Sequence, residues 1–166
     1  MSKGIDQGIL SNNLGYQALK KGQLNQAIVL LKQSVEYCKS VGDWEGEITA
    51  LNNLAEALFK KWASQTSPRP DLHESISNGF LADGIQCLAR DLQLSIEHQD
   101  LKGAGITLQQ LTSALEQHGG LSEDEAMNIY AHFVKDHAIP ILTKNNIWEI
   151  PGEFGFPILR LEKKPP

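Results

Sequence analysis

ALNNLAEAL, residues 50–58, is the stretch on which the reading of this chain turns. Leu51, Leu54, Ala55 and Leu58 fall at i, i+3, i+4 and i+7, the apolar stripe of an amphipathic helix. The same stretch carries two adjacent amides, Asn52 and Asn53, neither a strong helix former. It has two counterparts, SNNLGYQAL (11–19) and LQQLTSAL (108–115), which share its amide-amide-Leu-small core. Four residues after that Leu stand Ala18, Leu58 and Leu115 in the three copies. Leu14 and Leu54 are 40 residues apart; Leu54 and Leu111 are 57 apart, an excess of 17. The lead-ins agree as well, GDWEGEITAL (42–51) aligning with QDLKGAGITL (99–108) and Gly46 with Gly103. Repetition at this period means one supersecondary unit used several times.

Each amide-bearing helix is followed by a second one. After Gly22, one stripe takes Leu24, Ala27, Ile28, Leu31, Ser34, Val35 and Cys38; after the second copy, another takes Leu81, Ile85, Leu88, Leu92 and Ile96. After the third, Leu121, Ala126, Tyr130, Phe133 and Val134 repeat the pattern, entered through a Ser122-x-x-Glu125 capping box. Three helix pairs therefore cover about 8–41, 48–98 and 104–138, with no strand-like alternation between them.

These residues resemble the tetratricopeptide repeat family in its 40-residue variety, as in kinesin light chains and LGN-type scaffolds. Leu14-Gly15 stands at the family's Leu-Gly pair, Gly22 at its turn, Ala27 at the small residue of the second helix and Leu31 at its large apolar position. The second copy departs by placing Gly84 where Ala is usual and Asp91 at a normally small, buried position. Burial there would demand a partner, either Arg90 or a hydroxyl on a facing helix. The third copy departs with Thr112 in place of the small residue. The resemblance implies an all-α, right-handed antiparallel helix-pair solenoid of about three repeats, residues 1–138, with first helices lining a concave groove.

On that reading, the stripe opposite each Leu stripe faces the groove. It comprises Ile9, Asn12, Asn13, Tyr16 and Lys20 in the first copy, and Thr49, Asn52, Asn53, Glu56 and Lys60 in the second. The third supplies Ile106, Gln109, Gln110, Ser113 and Gln117. An amide offers an acceptor and two donors, so a column of them can pair with the N–H and C=O of an extended peptide. The resemblance adds that Asn at the positions of Asn13 and Asn53 commonly contacts bound peptide backbone. The competing reading is that the amides solvate an exposed helix face. A dicarboxylate clamp of the cochaperone kind needs more groove cations than Lys20 and Lys60.

The 17 extra residues lie within 64–80, where Pro68 and Pro70 stop the preceding helix. From Asp71 onward Leu72, Ile76, Phe80 and Leu81 keep helical spacing, which predicts an elongated second helix with a kink near Gly79 or Gly84. Its early turns would either expose Leu72, Ile76 and Phe80 for self-association as a homodimer or fold back over the repeat. Beyond Pro140 the segment 139–166, with Trp148, Phe154, Phe156 and several prolines, is expected to be extended rather than helical. It would cap the last repeat, be recognised by a partner, or plug the chain's own groove. Only PILRLEKK alternates like a strand.

Composition narrows function. With a net charge of −5 and a pI near 5.5 the chain lacks the basic surface that nucleic acid requires. No apolar run is long enough to cross a bilayer, and the start, MSKGIDQGIL, lacks the apolar region of a signal peptide, so a cytoplasmic protein is expected. Cys38 and Cys87 stand apart as ordinary thiols. His132 and His137, five apart, do not share a helix face as an i, i+4 metal pair would, and no nucleophile elbow or phosphate loop occurs. The expectation is a non-enzyme without metal or cofactor that binds a protein or peptide partner as a scaffold or adaptor. Its alternatives are a small acidic chaperone or assembly factor, or a non-catalytic regulatory subunit.

Overall fold

The computed structural model describes residues 3–65 and 71–162. The chain is predominantly helical. In order it forms α1 (Lys3–Lys20), α2 (Leu24–Val41), α3 (Trp44–Ala63), a single turn α4 (Leu72–Ser75), α5 (Phe80–Glu97), α6 (Leu101–Gln117) and α7 (Glu123–Phe133). A π-helical turn (Val134–Ala138) leads into α8 (Ile139–Lys144), and a hairpin of β1 (Glu149–Pro151) and β2 (Pro157–Arg160) follows. Two compact units result, Met1–Leu88 with His118–Gly120, and Ala89–Gln117 with Leu121–Pro166.

In the first unit α1, α2 and α3 pack on one another. The predicted stripe of α2 is largely its interior: Ala27, Ile28, Leu31, Ser34, Val35 and Cys38 are all buried, and Leu24 is half-buried. Helix α3 buries Leu51, Leu54, Ala55 and Leu58, and adds Phe59 and Trp62, which the stripe did not include. Its start is held by Asp43, whose Oδ1 accepts from the Gly46 N–H at 3.0 Å, a cap worth about 1 kcal/mol. Glu45 and Glu47 in its first turn and Lys60 and Lys61 in its last complement the helix dipole.

The second unit repeats the same entry. Asp100 Oδ1 accepts from Gly103 N–H at 2.9 Å, as Asp43 does from Gly46. The turns before them also match. Asp43 N–H donates to Cys38 O at 2.9 Å, and Asp100 N–H to Ser95 O at 2.7 Å. Gly42, at φ +75°, has its counterpart in Gln99, at φ +61°. In α7 the Ser122 capping box forms as expected: Ser122 Oγ accepts from Glu125 N–H at 3.1 Å, and Glu125 Oε1 accepts from Ser122 N–H at 3.0 Å. Asp91 is buried, and two hydroxyls lie against it. Thr107 Oγ1 on α6 lies 3.1 Å from Asp91 Oδ1 and Ser95 Oγ lies 3.4 Å from it.

Two expectations need correction. The elongated helix is broken: α4 ends at Ser75, Gly79 turns the chain at φ +96°, and α5 is 18 residues, the length of α2. The apolar spacing runs through this break, but a left-handed residue cannot continue a right-handed helix. Leu72, Ile76 and Phe80, for which exposure was one of two alternatives, are half-buried, with Lys61 Nζ 6.0 Å from the Phe80 ring centroid. The helix stop assigned to Pro68 and Pro70 lies outside the described residues.

The tail differs too. Its first part is helical, because Ile139 N–H donates to Val134 O, five residues back, and the wider turn precedes Pro140 at the start of α8. Proline lacks the N–H and crowds the carbonyl four residues earlier, so a loosened ladder is where it can sit inside a helical run. The helical run therefore continues through residue 138. The rest is a hairpin, Glu149 opposite Arg160 and Ile150 opposite Leu159, laid on α6 with Ile150 buried.

Candidate functional site

Two helices and a loop of the first unit bring polar side chains together. Asn12, Tyr16 and Lys20 follow one another at i, i+4 and i+8 on α1, while Asn53, Glu56 and Lys60 share a face of α3. Asn53 Nδ2 donates to Asn12 Oδ1 at 3.0 Å, bridging the two helices. That bond uses one donor and one acceptor site, and each amide retains others. Asn52, its neighbour, instead donates to Ile48 O in its own helix at 2.9 Å. The two amides of ALNNLAEAL thus do different jobs, one between helices and one within.

Glu56 is the centre of the charged half. Its Oε1 lies 2.8 Å from Lys60 Nζ, 3.8 Å from Lys20 Nζ and 3.7 Å from His118 Nδ1. Lys20 Nζ also stands 4.9 Å from the Tyr16 ring centroid, within cation–π range. The Glu56 side chain is 16% exposed, and burial by itself would raise its carboxyl. The hydrogen bond from Lys60 and the charges of His118, Lys60 and Lys20 outweigh burial and hold it below the ordinary 4.5. His118 is held below its ordinary 6.5, chiefly by burial, with Lys60 and Lys20 adding to that effect and Glu56 opposing it.

Among the expected groove residues, Asn12, Tyr16, Lys20, Asn53, Glu56 and Lys60 are gathered here. Asn13 is exposed on α1, so the interhelical partner of Asn53 is Asn12 rather than its repeat counterpart. Gln109, Gln110 and Ser113 are exposed on α6 in the second unit. There Gln109, with Lys102, Ile106, Pro151, Gly152 and Ile158, borders a cleft of ≈ 310 Å³ between α6 and the hairpin. The tail therefore lies beside the α6 amides. Arg160 closes the hairpin with Nε and Nη2 each 3.0 Å from Glu149 Oε2, and its guanidinium lies 5.3 Å from the Trp148 ring centroid.

Sequence reasoning missed His118, which follows α6 in a loop where the repeat pattern prescribes nothing. It also missed a cavity of ≈ 430 Å³ whose floor is Val35, Leu51, Leu54, Leu58 and Cys87 and whose rim carries Lys32, Glu36, Asp83 and Gln86. No local signal marks it, since its walls come from α2, α3 and α5. The Cys87 thiol there is pushed up to about 12 by burial and the charge of Asp83, which suppresses the reactive thiolate. Among the described residues no three His, Cys, Asp or Glu side chains come together as a metal centre would need, and no helix is long and apolar enough to cross a membrane.

No protein-family model, no curated protein and no solved structure matches the chain.

Proposed function

We propose that the chain is a tetratricopeptide-like solenoid of about three helix pairs that acts by binding, without catalysis, an extended segment of a partner protein. The binding face is that of α1 and α3, formed by Asn12, Tyr16, Lys20, Asn53, Glu56 and Lys60 with His118 at its edge. The observation that carries the reading is the Asn53–Asn12 bond beside the Glu56 cluster. It joins the amides of two successive copies into one row, next to side chains that can read charge and aromaticity. The recurrence of one turn geometry 57 residues apart supports the repeat. In this reading the amides hold peptide backbone, Tyr16 offers a flat apolar contact, and the Lys20–Glu56–Lys60 row selects side chains of either sign.

A phage-displayed library of extended peptides, selected on the whole protein, tests it. Enriched peptides should bind wild type and lose at least tenfold in affinity to an Asn12→Ala, Asn53→Ala, Lys20→Ala variant of unchanged circular dichroism. Peptides that bind both proteins equally would place recognition elsewhere.

A further inference from the structure

The position that each repeat uses to meet its predecessor is left bare in the first. Leu54 is 5% exposed and Ala50 is fully buried; both belong to α3, which packs against α1 and α2. Their counterparts 40 residues earlier, Leu14 and Leu10, are 44% and 56% exposed. The orientation follows from the bonds and packing. Asn12 reaches Asn53, so that side of α1 faces α3. Gly8 lies against Cys38 and Gly15 against Leu31, so another side faces α2. Leu10 and Leu14 occupy what remains. On α2, Val35, Lys32 and Glu36 look into the cavity shared with α3, and Leu30, Tyr37 and Val41 lie on the side away from it. Tyr37 and Val41 are exposed and Leu30 is half-buried.

We infer that this outer face of α1 and α2 pairs with the same face of a second copy. Charge selects that occupant. The chain carries a net −5, so two copies repel unless they meet where charge is sparse. Among residues 7–41 this side offers glutamines, Gln17 and Gln33, between its apolar groups, and Lys21 at one end. A two-fold interface sets each patch against itself. Leucines and tyrosine meet their own kind without penalty, and a glutamine amide is both donor and acceptor to another. An acidic or basic partner would find little here to pair with. The pairing also supplies Leu10 and Leu14 with the cover that α2 gives Leu54. Self-association, expected from the sequence at Leu72, Ile76 and Phe80, is thus moved to the other end of the first unit's helices.

Sedimentation equilibrium of the full chain across a wide concentration range tests this directly. Wild type should approach twice the 18.3 kDa chain mass at high concentration. A Leu10→Glu, Leu14→Glu variant on α1 and a Tyr37→Glu variant on α2 should each remain monomeric, with thermal unfolding close to wild type because all three side chains are exposed. Phe154→Ser with Phe156→Ser, at the hairpin tip, should leave the dimer intact. A wild type that stays monomeric at every concentration, or a dimer that survives the α1 and α2 variants, would overturn the inference. Neither result touches the α1–α3 peptide face.

Discussion

Where the first unit has Ser34, Cys38 and Ala50, the second has Asp91, Ser95 and Thr107, each 57 residues further on. The first set is a small, nearly apolar interior: Ala50 and Ser34 have no exposed surface, and Ser34 Oγ donates to Gly8 O at 2.7 Å. The second set puts a carboxyl at the same place and surrounds it with two hydroxyls. Thr107 lies equally near Gly103 O, at 3.1 Å, and its single proton serves one acceptor at a time. One repeat position therefore tolerates two chemistries, provided three residues change together. A lone Asp in the first setting would be a buried carboxyl without partners; in the second it is part of a small network.

The largest expected effect comes from breaking that network in one place. Asp91→Ala should cost about 2–3 kcal/mol, since it removes the acceptor of two buried hydroxyls and leaves a void. Replacing all three residues with those of the first unit, Asp91→Ser, Ser95→Cys and Thr107→Ala, should lie within about 1 kcal/mol of wild type. Urea unfolding of wild type, Asp91→Ala, the triple variant and its three single changes decides it. If the triple variant is as unstable as the summed single changes, the two sites are not interchangeable and the comparison fails.

Gly84 sharpens the comparison at a second point. Its counterpart 57 residues earlier, on α2, is Ala27, fully buried. A β-carbon at Gly84 would run into the Phe59 ring, which is itself wholly buried. Gly84→Ala should therefore destabilise by about 1–3 kcal/mol, although alanine is the better helix former. Adding Phe59→Leu should return part of the loss. A Gly84→Ala protein more stable than wild type would show that the ring moves aside freely.

The turns give a smaller effect of opposite sign. Gly42 and Gln99 end α2 and α5 in the same left-handed conformation, which is easy for glycine and costly for a residue with a β-carbon. Gln99→Gly should stabilise by about 0.5 kcal/mol, after the entropy glycine adds to the unfolded chain. Gly42→Gln should destabilise by about 1 kcal/mol. Thermal melts of both, run side by side, would show whether the two turns respond as one motif.

Much of this was legible before any coordinates. The Leu stripe of 50–58, most of the stripe of α2, the Ser122 cap and the need of a buried Asp91 for partners follow from periodicity and from what burial demands of a polar group. A kink near Gly79 or Gly84 was expected, but the full break at Gly79 was not legible, because Leu72, Ile76, Phe80 and Leu81 satisfy a helical spacing whether or not the backbone between them is helical. Nor was the helical start of the tail, since Pro140 reads as a stop unless the turn before it is known to be wide. At the candidate site six of the expected residues meet. The choice of Asn12 over Asn13 as the partner of Asn53, and the arrival of His118, depend on how helices lie beside one another, which spacing along one helix does not contain.

The last turns of the three amide-bearing helices end in Lys20, Lys60 and Gln117, and after the third comes His118 beside Glu56. Here the copies differ in what they do with protons. Burial, reinforced by Lys60 and Lys20, holds His118 below its ordinary 6.5 against the pull of Glu56. The unfolded chain therefore takes up this proton first as pH falls. Stability is present above 6.5 and is lost on descending toward the folded value. His137, lowered by burial with Asp136 opposing, adds a step of the same sign. Glu56, held below 4.5, contributes stability above that value and loses it as pH falls through its folded pKa. Denaturation midpoints of wild type should thus decline from pH 7.5 to 5 and again below 4.5. His118→Asn should flatten the first decline without abolishing it, and Glu56→Gln should flatten the second. Midpoints that rise between pH 7 and 6 would mean that the attraction of Glu56 for a charged His118 exceeds the cost of burying it, and that the cluster is an ion pair first and a covered imidazole second.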